Sequence, residues 1–159
     1  MSVTIGQPAP PFSMPTDDGQ VSLGDYRGKR LVLYFYPKDD TSGCSSEAKA
    51  FADDFDRFAL FGTEILGVSR DTVTSHVKFR AKLTLPFPLA SDADGAVCDA
   101  YGVWKQKSMY GRTYMGIERT TVLIDQNGVV VAVWPKVKVA GHSREILTTL
   151  ASLGEMPRP

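Results

Sequence analysis

The stretch Leu31–Tyr36 (Leu-Val-Leu-Tyr-Phe-Tyr) decides the fold, and Pro37 and a polar loop lead from it to Cys44. A continuous apolar run of this length is typical of a central strand that is buried on both faces of a sheet. Pro37 ends the strand. After Cys44, small and apolar side chains recur at three- and four-residue spacing as far as Ala59. This spacing predicts an amphipathic helix of about four turns, so the chain runs from a buried strand through a loop into a helix.

The remaining segments add further strands and helices around this unit. The patterns predict strands near Val21–Leu23 and at Glu64–Ser69, Phe87–Ala90, Thr120–Ile124 and Val129–Trp134, and helices near Thr72–Leu83, Asp94–Tyr101 and Ser143–Leu153. The first 20 residues are rich in proline, glycine and aspartate, which predicts a loop-rich start with a turn at Asp18-Gly19. Residues 105–118 show no clean period, and we expect a long loop there. The Asn127-Gly128 pair between the last two strands predicts a hairpin.

This order of elements predicts an α/β fold. Strands that alternate with helices early in the chain favour parallel pairing, and the late hairpin adds antiparallel strands. We therefore expect a mixed central sheet with helices on both faces, which is the plan of thioredoxin-like folds and also of other three-layer α/β folds. The chain has 159 residues, a length typical of one domain, so residues 1–159 are expected to form a single domain.

The composition argues against several classes of function. Eighteen basic residues balance eighteen acidic ones, so the formal net charge is zero, and neither nucleic acid nor a membrane surface is an expected partner. No apolar run approaches the roughly 20 residues that a membrane span requires. The segment Met1–Gly6 lacks the basic and apolar regions of a secretory signal. We therefore expect a cytoplasmic protein.

Cysteine and histidine are both scarce. The chain has two of each, Cys44 and Cys98, and His76 and His142. It contains no CxxC motif, and these residues do not have the clustered spacing of a zinc site. The sequence therefore predicts neither a disulfide framework nor a metal or other cofactor. We expect His76 to be solvated or half-buried in mid-helix, and His142 to have a capping role at a helix start.

Cys44 has the predicted position of a reactive cysteine, between the end of a buried strand and the start of a helix. Active sites in α/β sheets lie at the carboxyl ends of strands. The free N–H groups and partial positive charge of a helix N-terminus favour a thiolate over a thiol. A buried structural cysteine is the alternative, but the flanking residues 42–46 are small and polar rather than apolar. Thr41 is placed to offer a hydroxyl to the sulfur or to a bound oxygen.

The segment Tyr34–Glu47 (Tyr-Phe-Tyr-Pro-Lys-Asp-Asp-Thr-Ser-Gly-Cys-Ser-Ser-Glu) resembles the peroxiredoxin signature P-x-x-x-T/S-x-x-C. Pro37, Thr41 and Cys44 fill its defined positions. Within that family the chain is most similar to the bacterioferritin comigratory protein / peroxiredoxin Q branch. The resemblance covers most of residues 5–150, and its further matching segments are Ile65–Asp71, Phe87–Asp92, Ala100–Trp104, Gly116–Thr121 and Lys136–His142.

The resemblance implies a thiol-dependent peroxidase that reduces hydrogen peroxide and organic hydroperoxides. Cys44 corresponds to the peroxidatic cysteine, whose thiolate attacks a peroxide oxygen and becomes a sulfenic acid. Arg119 corresponds to the arginine that holds the thiolate and the peroxide oxygens, which suits its permanent charge and its fork of donors. Thr41 matches the hydroxyl that hydrogen-bonds the peroxide, and Pro37 matches the proline that shields the sulfur.

The chain departs from the family pattern at the cysteine that resolves the sulfenic acid. The two positions at which family members carry this cysteine are Lys49 and Arg80 here. Ser42 also stands where proline is usual, but this change removes no catalytic group. Cys98 is the only other thiol in the chain, and its apolar neighbours predict a helix packed on the core.

We therefore expect a one-cysteine mechanism, in which an external thiol reduces the sulfenic acid on Cys44. The expected reductant is thioredoxin, glutaredoxin or glutathione. Two alternatives stay open: Cys98 resolves Cys44 after local unfolding, or the protein is a peroxide sensor or thiol relay that passes its oxidation to a partner. The resemblance also implies a monomer.

Overall fold

The computed structural model describes residues 3–154. The strands are β1 (Ser13–Thr16), β2 (Gly19–Ser22), β3 (Arg30–Phe35), β4 (Thr63–Ser69), β5 (Leu89–Ser91), β6 (Trp104–Met109), β7 (Arg112–Ile117), β8 (Thr120–Ile124) and β9 (Val130–Trp134). The helices are α1 (Ser42–Asp53), α2 (Phe55–Leu60), α3 (Val73–Leu83), α4 (Ala96–Ala100) and α5 (His142–Leu153), and a short 3-10 helix lies at Leu23–Tyr26. None of the helices in this part of the chain has the length and apolar character needed to cross a membrane.

Seven of these strands form one sheet, in the order β2-β1-β5-β4-β3-β8-β9. The strand β4 runs parallel to both β3 and β5, whereas β8 runs antiparallel to both β3 and β9. The sheet is therefore mixed, and the predicted thioredoxin-like α/β plan is confirmed. Every residue of β3 is buried, as its apolar run predicts for a central strand.

The sheet separates two hydrophobic cores. Successive residues of a strand point to opposite faces, so Tyr34 and Phe35 of β3 lie in different cores. Tyr34 packs with side chains of α1, α2, α3 and α5. Phe35 packs with side chains of α4 and of the N-terminal segment. Helices therefore cover both faces, and Cys44 lies in the first core whereas Cys98 lies in the second.

The expected long loop at residues 105–118 is wrong, because β6 and β7 form a two-stranded antiparallel hairpin there. Most of its side chains are exposed. The segment therefore lacks the alternation of apolar and polar residues by which a half-buried strand is recognised. The hairpin turn has positive φ at both central residues, 53° at Tyr110 and 76° at Gly111, as tight two-residue turns require. Only the glycine of this pair indicates the turn in the sequence.

Two other segments also differ from the sequence prediction. The proline-rich start contains β1, which pairs with β2 around the expected turn at Asp18-Gly19. The helix expected to reach Ala59 is divided into α1 and α2 at Asp54. The Asp54 carboxylate accepts hydrogen bonds from Ser143 and Arg144 of α5. Local periodicity cannot show such a contact with a distant part of the chain.

The pairing of β3 with β8 brings two distant segments to one edge of the sheet. Phe35 pairs with Thr120 in antiparallel register. The chain leaves β3 after Phe35 in the direction of Cys44, and it enters β8 directly after Arg119. Cys44 and Arg119 therefore meet, although 75 positions separate them in the sequence.

Candidate active site

Cys44 is the third residue of α1, and only 1% of it is exposed. It shares its core with Tyr34, Tyr36 and Ala48. The residue lies at the positive end of a 12-residue helix whose N-cap makes no side-chain hydrogen bond to the first turn. Unpaired N–H groups and the partial positive charge at such an end attract negative charge, and the Cys44 sulfur lies in this field.

The Arg119 guanidinium lies against the Cys44 sulfur. Its Nη2 donates to Sγ of Cys44 at 3.3 Å, and its Nη1 donates to Oε1 of Glu47 at 2.7 Å. Glu47 follows Cys44 by three positions, so both side chains lie on one face of α1 and share the guanidinium. A hydrogen bond from a cation stabilises a thiolate more than a thiol. The contact therefore places a cationic donor directly on the Cys44 sulfur.

Gly43 provides the space for this contact. A Cβ atom added at Gly43 would lie 3.2 Å from Nη2 of Arg119, which is closer than ordinary van der Waals contact. Any other residue at this position therefore has to move the guanidinium. The glycine of the Thr-Ser-Gly-Cys segment thus has a local reason in the approach of Arg119 to the helix start.

Glu47 is a carboxyl group in an apolar setting. It is 2% exposed, and its Oε2 has no hydrogen-bond partner in the described part of the chain. Burial raises the pKa of this carboxyl to about 7, although the charge of Arg119 opposes the rise. Burial acts to lower the pKa of Arg119, but the charges of Glu47 and Cys44 raise it above its usual value. No sequence pattern above assigns a role to Glu47, and its one signal is the three-residue spacing from Cys44.

Thr41 and Pro37 lie on the loop that joins β3 to α1. Thr41 is the exposed N-cap residue of α1, and its hydroxyl donates to the carbonyl oxygen of Lys38 at 2.9 Å. This bond uses the hydroxyl hydrogen and leaves the oxygen free to accept. Pro37 is half-buried. The structure thus brings Cys44 and Arg119 into direct contact, whereas Thr41 and Pro37 are held near them through the course of the loop.

A buried polar network anchors this loop through Asp39. Its carboxylate accepts hydrogen bonds from Tyr36 Oη at 2.6 Å and Ser75 Oγ at 2.8 Å, and it lies 2.7 Å from Nδ1 of His76. Burial acts to raise the pKa of Asp39, but the hydrogen bonds from His76 and Tyr36 lower it below its usual value. His76 is fully buried, and its Nε2 lies 3.0 Å from the carbonyl oxygen of Ala90. The expected solvated or half-buried position of His76 is therefore wrong.

The same network brings potential metal ligands together. Ligand atoms of Asp39, Asp71 and His76 lie within 4.8 Å of one another. These atoms already serve hydrogen bonds within the protein: Oδ2 of Asp71, for example, accepts from Ser69 Oγ at 2.6 Å and from the Asp39 N–H at 2.8 Å. The hydrogen bonds account for the cluster without an ion.

Cys98 lies in α4 and is fully buried on the other face of the sheet. The Asp92 carboxylate accepts the backbone N–H of Cys98 at 2.8 Å and that of Val97 at 3.1 Å. Burial, and after it the hydrogen bond and charge of Asp92, raise the pKa of the Cys98 thiol above its usual value. The thiol therefore stays protonated at neutral pH, and a thiol is a poor nucleophile. The expected core-packed helix is confirmed.

A cysteine at a helix start, held by an arginine that directly precedes the neighbouring strand of a thioredoxin-like sheet, is the arrangement of a peroxiredoxin. The chain belongs to the AhpC/TSA family, whose sequence model matches residues 5–133, and within it to the Bcp / peroxiredoxin Q branch. Membership of this family supports a thiol-dependent peroxidase function. The resemblance that the segment Tyr34–Glu47 carries is therefore confirmed.

The relatives match nearly the whole chain. A putative peroxiredoxin bcp from Coxiella burnetii is 52% identical over 151 residues, which cover 94% of this chain and 100% of the relative. A cysteine-to-serine variant of peroxiredoxin Q from Xylella fastidiosa has a crystal structure similar to this one, with a TM-score of 0.91 at 40% identity over 98% of this chain and 99% of that chain. A structure of the bacterioferritin comigratory protein of Xanthomonas campestris, described for its alkyl peroxide reduction activity, gives a TM-score of 0.85 at 45% identity over 89% of this chain and 91% of that chain.

Proposed function

We propose that the protein reduces hydrogen peroxide and organic hydroperoxides through Cys44. The observation that carries the proposal is the 3.3 Å contact between Nη2 of Arg119 and Sγ of Cys44. The thiolate attacks one peroxide oxygen, the O–O bond breaks, and Cys44 becomes a sulfenic acid. The departing oxygen takes up a proton and leaves as water or as an alcohol. The alkyl peroxide reduction described for the Xanthomonas campestris relative supports organic hydroperoxides as substrates.

Three further residues assist this step in the proposal. Arg119 stabilises the negative charge as it moves from the sulfur to the departing oxygen, since its donors are already in place. The Thr41 oxygen accepts the hydrogen of the hydroperoxide, because its own hydrogen is held by the Lys38 carbonyl. Pro37 shields the sulfur from water.

We further propose that the sulfenic acid is reduced by an external thiol, namely thioredoxin, glutaredoxin or glutathione. Cys98 is unsuited to the task because the sheet lies between its core and that of Cys44. A disulfide requires Cα atoms within about 7 Å, so a bridge between the two cysteines needs a rearrangement across the sheet. The Cys98 thiol is also held protonated, since its pKa is raised.

Intact mass and a free-thiol count after one equivalent of peroxide test this proposal on the wild type and on Cys98→Ser. We expect both proteins to gain one oxygen atom and to lose one thiol, at Cys44. Loss of both thiols in the wild type, with a mass decrease of two hydrogen atoms, would show a disulfide between Cys44 and Cys98 and overturn the one-cysteine mechanism. Sustained peroxide consumption with a supplied thiol separates an enzyme from a sensor, which stops after one turnover.

The proposal includes a cytoplasmic, monomeric, single-domain protein. Both cysteines are free thiols, which suits a compartment that keeps thiols reduced. Light scattering of the purified reduced protein measures the oligomeric state, and a dimer mass would contradict this part of the proposal.

A further inference from the structure

A cleft with a volume of about 450 Å³ lies between the loop after β3 and the hairpin of β6 and β7. Its apolar lining includes Pro37 of that loop and Ile117 of β7. Lys38, Arg70 and Lys107 add three cations. No aspartate or glutamate is among the lining residues, all of which belong to the described part of the chain. The cleft therefore combines an apolar surface with positive charge of one sign only.

The three cations of this cleft have no carboxylate partner within residues 3–154. The Arg70 guanidinium is fixed in place, because it lies 4.6 Å from the centre of the Trp104 ring and donates to the carbonyl oxygen of Ala93 at 3.0 Å. A guanidinium held in this way keeps further N–H donors for a ligand. The cleft thus offers one rigid cation and two flexible ones to an anion.

Two lining residues place the cleft near the sheet edge where Cys44 and Arg119 meet. Pro37 begins the loop that leads to Cys44, and Ile117 lies two positions before Arg119. Lys107 lines the same cleft from β6. Burial and the charge of Arg119 lower the pKa of its amine, while the negative charges of Cys44 and Glu118 oppose the change. The amine is therefore close enough to Cys44 and Arg119 to respond to their charges. An anion bound in the cleft relieves the repulsion between the two cations, and it lies against Pro37, at the start of the loop that leads to Cys44.

We propose that this cleft binds the carboxylates of a small anionic thiol of the glutathione type, and that such a thiol is the preferred reductant of the Cys44 sulfenic acid. The inference rests on the proposed one-cysteine function. The size of the cleft is typical of small-molecule sites. The 1% exposure of Cys44 also favours a slender molecule, because a rigid protein surface needs the cysteine to project outward.

The two reductive steps consume two molecules of this thiol. The first thiol attacks the sulfenic sulfur, so an S–S bond forms, the S–O bond breaks, and the hydroxyl leaves as water with the proton of the thiol. A second thiolate then attacks the sulfur of the bound reductant in the mixed disulfide. Cys44 leaves as a thiolate. The two thiols have then been oxidised to one disulfide, and their two electrons have reduced the sulfenic acid.

The test compares reductants in steady-state turnover with tert-butyl hydroperoxide as the oxidant. Glutathione is the anionic probe, its diethyl ester lacks both carboxylates, and 2-mercaptoethanol is the neutral reference thiol. The second-order rate constant of each glutathione form is divided by that of 2-mercaptoethanol. We expect this normalised rate constant to be higher for glutathione than for its ester. The advantage is expected to be about fivefold to tenfold, as for two exposed charge contacts, and to shrink as salt is added.

A pair of double variants locates the effect. The variant Arg70→Gln with Lys107→Gln removes two cations of the cleft, and we expect it to abolish the advantage of glutathione over its ester. The variant Lys105→Gln with Arg112→Gln removes two exposed cations of the same hairpin outside the cleft, and we expect it to keep the advantage. Ratios between reductants are compared, so a general change in activity or folding does not mimic the result.

Several outcomes overturn the inference and leave the proposed function intact. One is turnover with every thiol but no advantage of glutathione over its ester. Another is an equal loss of the advantage in both double variants. In a third outcome, the cleft variant keeps the advantage of glutathione but slows the oxidation of Cys44 by a hydroperoxide that carries a carboxylate. The cleft then binds the oxidant rather than the reductant. A Cys44–Cys98 disulfide in the wild type overturns the proposed one-cysteine mechanism, on which the inference rests.

Discussion

Cys44 and Cys98 differ little in burial, with 1% and 0% of each residue exposed, and each is the third residue of its helix. Their partners have opposite charges. Cys44 receives a hydrogen bond from Arg119, whereas the start of the helix that holds Cys98 is occupied by the Asp92 carboxylate, which accepts two backbone N–H groups there. In the proposed mechanism, position at a helix N-terminus is therefore insufficient to make a cysteine reactive, and the charge placed at that helix end decides which cysteine reacts.

The comparison also extends to the two cores that the sheet separates. The core of Cys44 contains the Tyr34 hydroxyl, and the buried Glu47 carboxyl follows Cys44 by three positions on α1. Each has a buried oxygen with no partner among the residues described. In the core of Cys98 the buried Tyr101 hydroxyl donates to the carbonyl oxygen of Pro10 at 2.6 Å. Unsatisfied polar atoms thus lie near Cys44, while the Tyr101 hydroxyl in the core of Cys98 is paired.

The largest expected effect separates the two cysteines directly. Cys44→Ser should lower peroxide turnover with an external thiol to the uncatalysed level, a loss of at least about a thousandfold. Cys98→Ser should keep the rate constant for Cys44 oxidation, since Cys98 lies in the other core and stays protonated. Peroxide consumption measured on both purified variants checks this. Equal losses in the two variants would make the comparison untenable.

The second effect concerns the cation on Cys44. Arg119→Gln should slow single-turnover oxidation of Cys44 by about a hundredfold, which is the usual cost of removing one charge-stabilising donor. Arg30→Gln is a matched control, because Arg30 is also buried and its guanidinium donates to the Gly154 carbonyl at 2.7 Å, on a segment without a candidate catalytic residue. Rapid-mixing measurements should show normal oxidation in the control. Similar slowing in both variants would assign the effect to lost stability.

Much of this fold could be predicted from local pattern. The buried run Leu31–Tyr36 marked the central strand, and the alternation of strands and helices predicted the mixed sheet. The hairpin at residues 105–118 was not predicted, because neither of its strands has a buried face. The division of the predicted helix at Asp54 was not predicted, because the partners of Asp54, Ser143 and Arg144, are about 90 positions away in the chain.

The candidate site shows the same division. Cys44 could be assigned from its place between a strand and a helix, and Glu47 was within reach because three positions separate them on one helix face. Without the family resemblance, the sequence around Arg119 indicates only a surface arginine, because the register of β3 with β8 is what brings it to the sulfur. The role of Arg119 was therefore predicted from the resemblance and not from a local pattern. The buried position of His76 depends on Asp39, 37 positions away.

The third effect is a pH dependence of stability that belongs to the core of Cys44. The pKa of Glu47 is about 7 in the folded protein, against 4.5 for an unperturbed glutamate. Between these values the folded state binds more protons than the unfolded state, so the free energy of unfolding should fall as pH rises from about 4.5 to about 7. Glu47→Gln removes this contribution. Urea unfolding at pH 5 and pH 8 should therefore show a smaller decrease in Glu47→Gln than in the wild type.

Glu64→Gln is the control for this measurement, because Glu64 is a partly exposed carboxylate that pairs with Lys29 at 3.2 Å. We expect its pH dependence of unfolding to follow that of the wild type. A wild type whose stability rises with pH through the same window, with no difference from Glu47→Gln, contradicts the assignment of a raised pKa to Glu47.

The smallest effect compares one hydroxyl from each core. Tyr34→Phe removes a buried oxygen that has no partner within residues 3–154 and keeps the ring that lies over Gly67. Its free energy of unfolding should stay unchanged or rise by up to about 1 kcal/mol. Tyr101→Phe removes the donor to the Pro10 carbonyl oxygen, and its free energy of unfolding should fall by about 1 kcal/mol. Urea unfolding with equal slopes measures both. A larger loss of unfolding free energy in Tyr34→Phe than in Tyr101→Phe would mean that the Tyr34 hydroxyl has a hydrogen-bond partner in solution. The two cores would then not differ in polar pairing. The contrast between the two cysteines would rest on Arg119 and Asp92 alone.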